Sequence, residues 1–158
     1  MTSNFRRKAN RLRDFNYCSP FCYFVTICTA DKRKVFTNSS IFSEVVNCLK
    51  ESATRHNFQI FAYCFMPDHL HLLIGANESE ADLIKFIKLF KQRTGYEYGK
   101  KYKVKLWQKS FYDHIIRKEE SLIEKTRYIL ENPIRKGLVI DFREYPFLGS
   151  MIFDINEL

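Results

Sequence analysis

The order in which hydrophobic patterns follow one another constrains the fold of this chain more than any other feature. Strand-like and helix-like segments follow the order strand, helix, strand, strand, helix, strand and helix. The strands are predicted at residues 21–29, 58–65 and 69–75, with a further strand or strand pair at 106–117. The helices are predicted at about 41–56, 83–90 and 122–132. The first six segments follow the split βαβ pattern of a ferredoxin-like antiparallel sheet with helices on one face. We therefore predict an α+β fold that leaves the other sheet face for a site or for an additional C-terminal helix.

Length and composition agree with one globular domain. The chain has 158 residues, of which 46% are hydrophobic and 28% are charged, and this excludes wholesale disorder. The longest apolar runs fall short of the roughly 20 residues of a membrane span, and the first residues lack the apolar segment of a secretory signal. We expect a cytoplasmic protein without a membrane partner. Its single domain over 1–158 would include a basic arm over 1–14 and a C-terminal tail over 139–158.

An excess of positive charge and many aromatic residues favour a nucleic-acid partner. Lys and Arg number 26 against 18 Asp and Glu, giving a formal net charge of +8, and there are 15 Phe and 9 Tyr. Cations bind phosphates, and aromatic rings stack on bases. The predicted DNA-binding residues of the arm and of a second cationic segment are Arg6, Arg7, Lys8, Arg11, Arg13, Lys91, Arg93, Lys100, Lys101, Lys103 and Lys105. The second segment is predicted to be a loop over 96–105, and the alternative is a merely solvated loop on a basic domain.

Two histidines separated by one residue lie on the third predicted strand. Because alternate residues of a strand point to the same side, His69 and His71 share one face, roughly 7 Å apart. Two imidazoles so placed can bind one divalent cation. The pattern by itself is also compatible with two partly exposed histidines and no metal.

The last predicted helix carries a tyrosine and an asparagine on one face. Tyr128 and Asn132 are four residues apart and are therefore stacked on the helix surface. The apolar side of the same helix consists of Leu122, Ile123, Ile129 and Leu130. Tyr128 lies nearly opposite these residues, whereas a core tyrosine would share their side. Either Tyr128 is presented to a substrate, or it is an ordinary surface tyrosine.

Together these groups suggest a reaction at a phosphodiester. A phenol is a poor nucleophile at its free pKa of about 10, and a nearby divalent cation can withdraw charge from the phosphate and position it for in-line attack. Two imidazoles and the Asn132 carboxamide leave coordination positions for substrate oxygens, and such mixed ligands suit Mg²⁺ or Mn²⁺ better than structural Zn²⁺. His114 is a further candidate near the site, and Asp113 could orient an imidazole; alternatively, these two form an ordinary strand pair.

Three sequence blocks together resemble the single-tyrosine transposases of the His-hydrophobic-His endonuclease superfamily. In chain order the blocks are MPDHLHLLI, LWQKSFYDHIIR and RYILENPIRKGL. Their order and spacing are closest to the branch associated with repetitive extragenic palindromes (REP elements), and the resemblance covers roughly residues 15–148. Insertion-sequence members of the superfamily have a glutamine as third metal ligand where this chain has Asn132.

The resemblance implies a DNA strand transferase that depends on Mg²⁺ or Mn²⁺. His69 and His71 would bind the metal, with Asn132 as third ligand, and Tyr128 would attack single-stranded DNA. The attack would leave a 5′-phosphotyrosine and a free 3′-OH, and the reverse attack would rejoin strands. The implied partner is single-stranded DNA with a hairpin, and the implied assembly is either a homodimer or a monomer.

Two other functions are compatible with parts of the sequence. A non-catalytic nucleic-acid-binding module on a ferredoxin-like sheet would place aromatic residues on the exposed sheet face and would not need Tyr128. A metal hydrolase would use His69 and His71 with water as the nucleophile, but the common hydrolase and deaminase motifs are absent. Covalent attachment of DNA to the protein would distinguish the transferase from both.

Overall fold

The computed structural model describes residues 21–116 and 122–158, and these form a five-stranded antiparallel sheet with helices on both faces. The elements in chain order are β1 (Cys22–Cys28), α1 (Ser39–Arg55), β2 (Phe58–Met66), β3 (His69–Ala76), α2 (Leu83–Tyr102), β4 (Tyr112–Ile116), α3 (Leu122–Leu130), α4 (Asn132–Arg135) and β5 (Leu148–Gly149). The strand order is β4-β1-β3-β2-β5. The first four strands with α1 and α2 reproduce the ferredoxin-like pattern, and the predicted α+β fold is confirmed.

The helices α1 and α2 cover one face of the sheet, because strand alternation directs every second side chain of β1 and β3 toward them. Val25 and Ile27 of β1 and Leu72 of β3 are fully buried in one core with Leu49 of α1 and Phe86 of α2. Burying each such side chain stabilises the fold by about 1.5–3 kcal/mol. This core fixes the positions of β1 and β3 and therefore of the residues on their opposite face.

A second core lies on the other face of the sheet. A register shift in β2, between Ile60 and Ala62, makes a β-bulge. Beyond the bulge, alternate residues of β2 point away from α1 and α2 and meet α3. The strand and helix residues of this second core are Ala62, Cys64, Met66, Leu73, Ile116, Ile129, Leu130 and Leu148. The additional C-terminal helix therefore occupies the face that the sequence left open for it.

The prediction of a loop over 96–105 was wrong, because α2 continues through this segment to Tyr102. The helix includes Gly95 and Gly99, although a helical glycine costs about 1 kcal/mol relative to alanine. Packing of the helix against α1 and the sheet offsets that cost. The residue that follows the helix, Lys103, caps its C-terminus in a left-handed conformation with φ of 61°. No helix in the part of the chain that the structure describes combines the length and the apolar character needed to cross a membrane.

The segment predicted as a strand or strand pair over 106–117 contains one strand, β4, in its second half. Its first half makes an isolated bridge between Trp107 and Thr29. The Trp107 indole N–H donates to Thr94 Oγ1 at 2.8 Å, which ties the segment to α2. Two backbone hydrogen bonds flank the bridge, from the Ala30 N–H to the Leu106 carbonyl oxygen and from the Gln108 N–H to the Cys28 carbonyl oxygen, both at 2.9 Å.

The predicted tail over 139–158 contains structure that its sequence did not indicate. Gly149 lies opposite Tyr63 where β5 pairs with β2, so the tail closes one edge of the sheet. The Tyr145 hydroxyl donates to the Phe65 carbonyl oxygen at 2.7 Å. Short strands such as β5 have too few residues to show an alternating pattern, which is why periodicity missed it.

Candidate active site

The strand β3 carries both histidines onto the sheet face opposite α1 and α2. Leu70 and Leu72 are fully buried beneath those helices, so His69 and His71 point the other way. Their Nε2 atoms are 3.1 Å apart, and their ring centroids are 4.5 Å apart with an interplanar angle of 77°. The side chains therefore converge at Nε2, although the strand rise alone would separate the two residues by roughly 7 Å.

Neighbouring groups orient both imidazoles through their Nδ1 atoms. Asp68 Oδ1 lies 2.6 Å from His69 Nδ1, and Thr26 Oγ1 lies 2.9 Å from His71 Nδ1. Thr26 reaches His71 because the two residues are opposite each other in the register of β1 and β3. A partner on Nδ1 fixes the ring orientation and leaves Nε2 available to a metal ion.

The surroundings hold His71 in its neutral form. Burial lowers the pKa of His71 to about 3, and the charges of His69 and Arg135 act in the same direction. Metal ions bind the neutral imidazole. His71 therefore does not have to lose a proton to act as a ligand at neutral pH.

The spacing of the two Nε2 atoms fits a single cation. Bonds of about 2.0–2.1 Å, the length known for Zn²⁺ and histidine nitrogen, place two neighbouring ligands about 2.9–3.4 Å apart when they meet at about 90–110°. The observed separation of the His69 and His71 Nε2 atoms is 3.1 Å. Within residues 21–116 and 122–158, no group of three or more His, Cys, Asp and Glu side chains could hold a metal ion. Further ligands from these residues would be amide, hydroxyl or carbonyl oxygens.

Tyr128 lies on the same face, one aromatic ring away from the histidines. The Phe24 ring centroid is 5.4 Å from that of His71 and 6.1 Å from that of Tyr128. Tyr128 is 52% exposed, whereas Ile129 and Leu130 beside it are fully buried. The helix α3 is thus anchored in the second core and presents the Tyr128 side chain at the surface near His71.

Arg135 packs on the Tyr128 ring. Its guanidinium carbon lies 4.0 Å from the ring centroid, and its Nη2 donates to the Tyr128 carbonyl oxygen. Arg135 also forms an ion pair with Glu131 at 3.7 Å. The sequence reasoning did not identify Arg135. Its position seven residues after Tyr128, close to two helical turns, was the available signal.

Two further candidates lie near this face. Asn132 is the first residue of α4, a short helix that contacts β2, and it is 7% exposed. Its role as a third metal ligand stays a prediction. His114 is opposite Phe24 in the register of β1 and β4, so it shares the face of His71 and Tyr128.

The interpretation that Asp113 orients an imidazole was wrong, because Asp113 belongs to the other face of the sheet. It is opposite Val25, whose side chain is buried beneath α1 and α2. The carboxylate beside an imidazole is that of Asp68, which the sequence reasoning missed. Adjacent residues of a strand point to opposite faces, so strand alternation does not indicate a contact between Asp68 and His69. Strand alternation does not apply to Asp68, because Asp68 precedes the first residue of β3.

Four of the predicted DNA-binding cations lie on α2, across the sheet from the histidines, and Lys91, Arg93 and Lys101 among them are bound to other groups of the protein. Lys91 Nζ donates to the carbonyl oxygens of Gln108 and Ser110 at 2.7 and 3.2 Å. Arg93 and Lys101 form ion pairs with glutamates of α1 at 3.0 and 3.4 Å. These interactions hold Lys91, Arg93 and Lys101 to the protein, and contact of these residues with DNA stays a prediction.

The other predicted cations have different surroundings. Lys100 Nζ lies 5.5 Å from the Tyr96 ring centroid, and Lys103 caps the C-terminus of α2. The Lys105 carbonyl oxygen accepts a hydrogen bond from Arg33. The cations of the basic arm lie outside the described residues; they are Arg6, Arg7, Lys8, Arg11 and Arg13.

Comparisons with known proteins agree on one family. The sequence profile of the family described as "Transposase IS200 like" matches residues 19–132. A Haemophilus influenzae protein named "Putative REP-associated tyrosine transposase" is 28% identical over 150 residues, which cover 88% of this chain and 84% of that protein. The REP-associated tyrosine transposase of Escherichia coli (strain K12) is 28% identical over 90 residues, which cover 57% of this chain and 53% of that protein.

A solved structure of a REP-associated tyrosine transposase bound to a REP hairpin has the same fold. The TM-score is 0.73 at 21% sequence identity, over 87% of this chain and 81% of that chain. The sheet of this chain carries the paired histidines with the exposed Tyr128 on the same face. The chain belongs to the family of IS200-like transposases.

Proposed function

We propose that this transposase cleaves and rejoins single-stranded DNA at hairpin-forming REP-type repeats, with Tyr128 as the nucleophile. The observation that carries the proposal is the contact of Phe24 with both His71 and Tyr128, which places them on one face of the sheet. Both groups are therefore on the side of the sheet at which the DNA strand would bind. The relatives named as REP-associated, and the structural neighbour bound to a REP hairpin, support the choice of a hairpin substrate.

The converging Nε2 atoms of His69 and His71 support a divalent cation at the site, Mg²⁺ or Mn²⁺, with Asn132 as a third ligand. When bound, the cation would withdraw charge from the scissile phosphate and from the departing oxygen. The protein's own contribution is orientation: Asp68 and Thr26 hold the two rings so that both Nε2 atoms face one point.

Cleavage forms one bond and breaks one bond. Tyr128 Oη attacks the phosphorus atom, the bond from phosphorus to the 3′ oxygen breaks, and the phenol proton passes to solvent. The 3′ oxygen takes up a proton and leaves as a free 3′-OH, while the 5′ phosphate stays esterified to Tyr128. In the reverse step a 3′-OH attacks the same phosphorus and displaces the phenolate. The tyrosine ester conserves the phosphoester bond, so rejoining needs no ATP.

A doubly labelled oligonucleotide tests the proposal. Single-stranded DNA with a REP hairpin and a flanking strand would carry a different label at each end and be incubated with the protein and Mn²⁺ or Mg²⁺. After denaturing electrophoresis, the label of the 3′ fragment is expected to migrate with the protein, and the 5′ fragment to end in a free 3′-OH. Cleavage without a covalent adduct would indicate a metal hydrolase. Binding without cleavage would indicate a nucleic-acid-binding module.

Asp68→Asn is expected to weaken Mn²⁺ binding about 10–100-fold, because the amide lacks the charge that strengthens the hydrogen bond from His69 Nδ1. Titration calorimetry of the whole chain measures the affinity. Glu51→Gln is the matched control, since it makes the same change on α1, where Glu51 pairs with Arg93. An affinity of Asp68→Asn equal to that of the control would show that Asp68 does not support the metal site.

A further inference from the structure

We infer that Arg135 is a positioning residue that holds the Tyr128 side chain in the orientation from which it attacks the scissile phosphate. The inference rests on the proposed function, in which Tyr128 is the nucleophile. Arg135 would act in the transition states of both cleavage and rejoining without itself contacting the DNA.

Arg135 contacts Tyr128 in two different ways. Its guanidinium carbon lies 4.0 Å from the phenol ring centroid, and its Nη2 donates to the carbonyl oxygen of the same residue. The ion pair with Glu131 at 3.7 Å holds the guanidinium from another direction. One planar cation is therefore fixed to both the backbone and the ring of Tyr128. The Phe24 ring centroid lies 6.1 Å from that of Tyr128.

The local fold explains how Arg135 reaches Tyr128. Seven residues are close to two turns of helix, so the two positions share one side of α3 and α4. The turn between the helices keeps helical bonding, since the Glu131 N–H donates to the Arg127 carbonyl oxygen and the Arg135 N–H to that of Glu131. Side chains on a helix lean toward its N-terminus. The long Arg135 side chain thus extends back over the Tyr128 ring.

The exposure of the Tyr128 side chain is the reason why a positioning partner matters. Tyr128 is 52% exposed, and exposed side chains change rotamer within picoseconds to nanoseconds. A displacement of about 1 Å in a reacting group can slow a reaction by about 100-fold. A planar guanidinium can cover the ring and still donate hydrogen bonds at its edge, which an ammonium group cannot do.

Single-turnover kinetics on a hairpin oligonucleotide test this role in the whole chain with Mn²⁺. Arg135→Ala is expected to slow adduct formation and rejoining by the same factor, about 10–100-fold. The ratio of adduct to intact DNA at equilibrium, and the Kd for the hairpin, should match those of the wild type. Arg135→Lys keeps the positive charge but replaces the planar guanidinium by an ammonium group, and it should slow both reactions by a similar factor.

Arg143→Ala is the matched control. Arg143 also packs on an aromatic ring, that of Phe142 at 4.7 Å, and pairs with Asp141 at 3.1 Å. Removing it eliminates the same kinds of contact away from Tyr128, so both rates should stay those of the wild type. A common loss of rate in both arginine variants would overturn the inference, since it would reflect a general effect on the fold.

Other outcomes would also overturn the inference. A weaker Kd with unchanged rates would make Arg135 a DNA-binding residue, and a lower equilibrium share of adduct would make it a partner of the phosphotyrosine. Wild-type rates in Arg135→Ala or in Arg135→Lys would remove the role altogether while leaving the proposed function intact. A wild-type protein that forms no adduct would instead overturn the proposed function, and this inference with it.

Discussion

Tyr128→Phe is expected to abolish the covalent adduct and to reduce strand cleavage by at least about 10⁴-fold, because it removes the only atom that can form the ester at that position. The change deletes one exposed hydroxyl and keeps the ring. The contacts of the ring with Phe24 and Arg135 do not involve that hydroxyl, so folding and hairpin binding should remain those of the wild type. Denaturing electrophoresis of labelled DNA measures the adduct.

The sharpest control for this loss is a second tyrosine on the same face. Tyr112 of β4 is 51% exposed and lies opposite Thr26, whose hydroxyl group forms a hydrogen bond with His71 Nδ1. Tyr112→Phe makes the same chemical change near the same histidine and should retain cleavage. If Tyr128→Phe keeps the adduct and Tyr112→Phe loses it, the nucleophile belongs to β4 and the assignment to Tyr128 is wrong.

The order and type of the main elements could be predicted because hydrophobic periodicity is local. The pattern around β1, β2 and β3 needs only each segment's own residues, and it yielded the ferredoxin-like sheet. The length of α2 could not be predicted, since two glycines within the helix are tolerated only because it packs on α1 and the sheet. The strand β5 depends on pairing with a β2 residue more than eighty positions earlier.

The site shows the same division between local and distant causes. Strand alternation was enough to place His69 and His71 on one face. The convergence of their Nε2 atoms was not predictable, since it involves Thr26, which is 45 residues from His71 in the chain. The position of Tyr128 relative to His71 likewise depends on Phe24, a residue of a different strand. No spacing within the sequence reports such contacts.

His69→Ala and His71→Ala are each expected to lower metal-dependent cleavage by at least about 100-fold, since a cation at the phosphate contributes several kcal/mol to the transition state. The double variant should be no more than a few-fold slower than either single variant. In the proposed site both imidazoles would bind one cation, since their Nε2 atoms are 3.1 Å apart, and losses of groups that act as a unit do not add. Single-turnover cleavage across a range of Mn²⁺ concentrations measures this.

The dependence on Mn²⁺ concentration separates a lost ligand from a damaged fold. With one imidazole left, a high concentration of Mn²⁺ should restore part of the rate by mass action, whereas a misfolded variant would not recover. His56→Ala is the control. His56 follows the last residue of α1, and its ring centroid lies 6.1 Å from that of Phe86 of α2, so its removal should leave the Mn²⁺ dependence unchanged. Losses in the two single variants that multiply in the double variant would mean that His69 and His71 act separately. In that case one shared cation could not be the reason for their convergence.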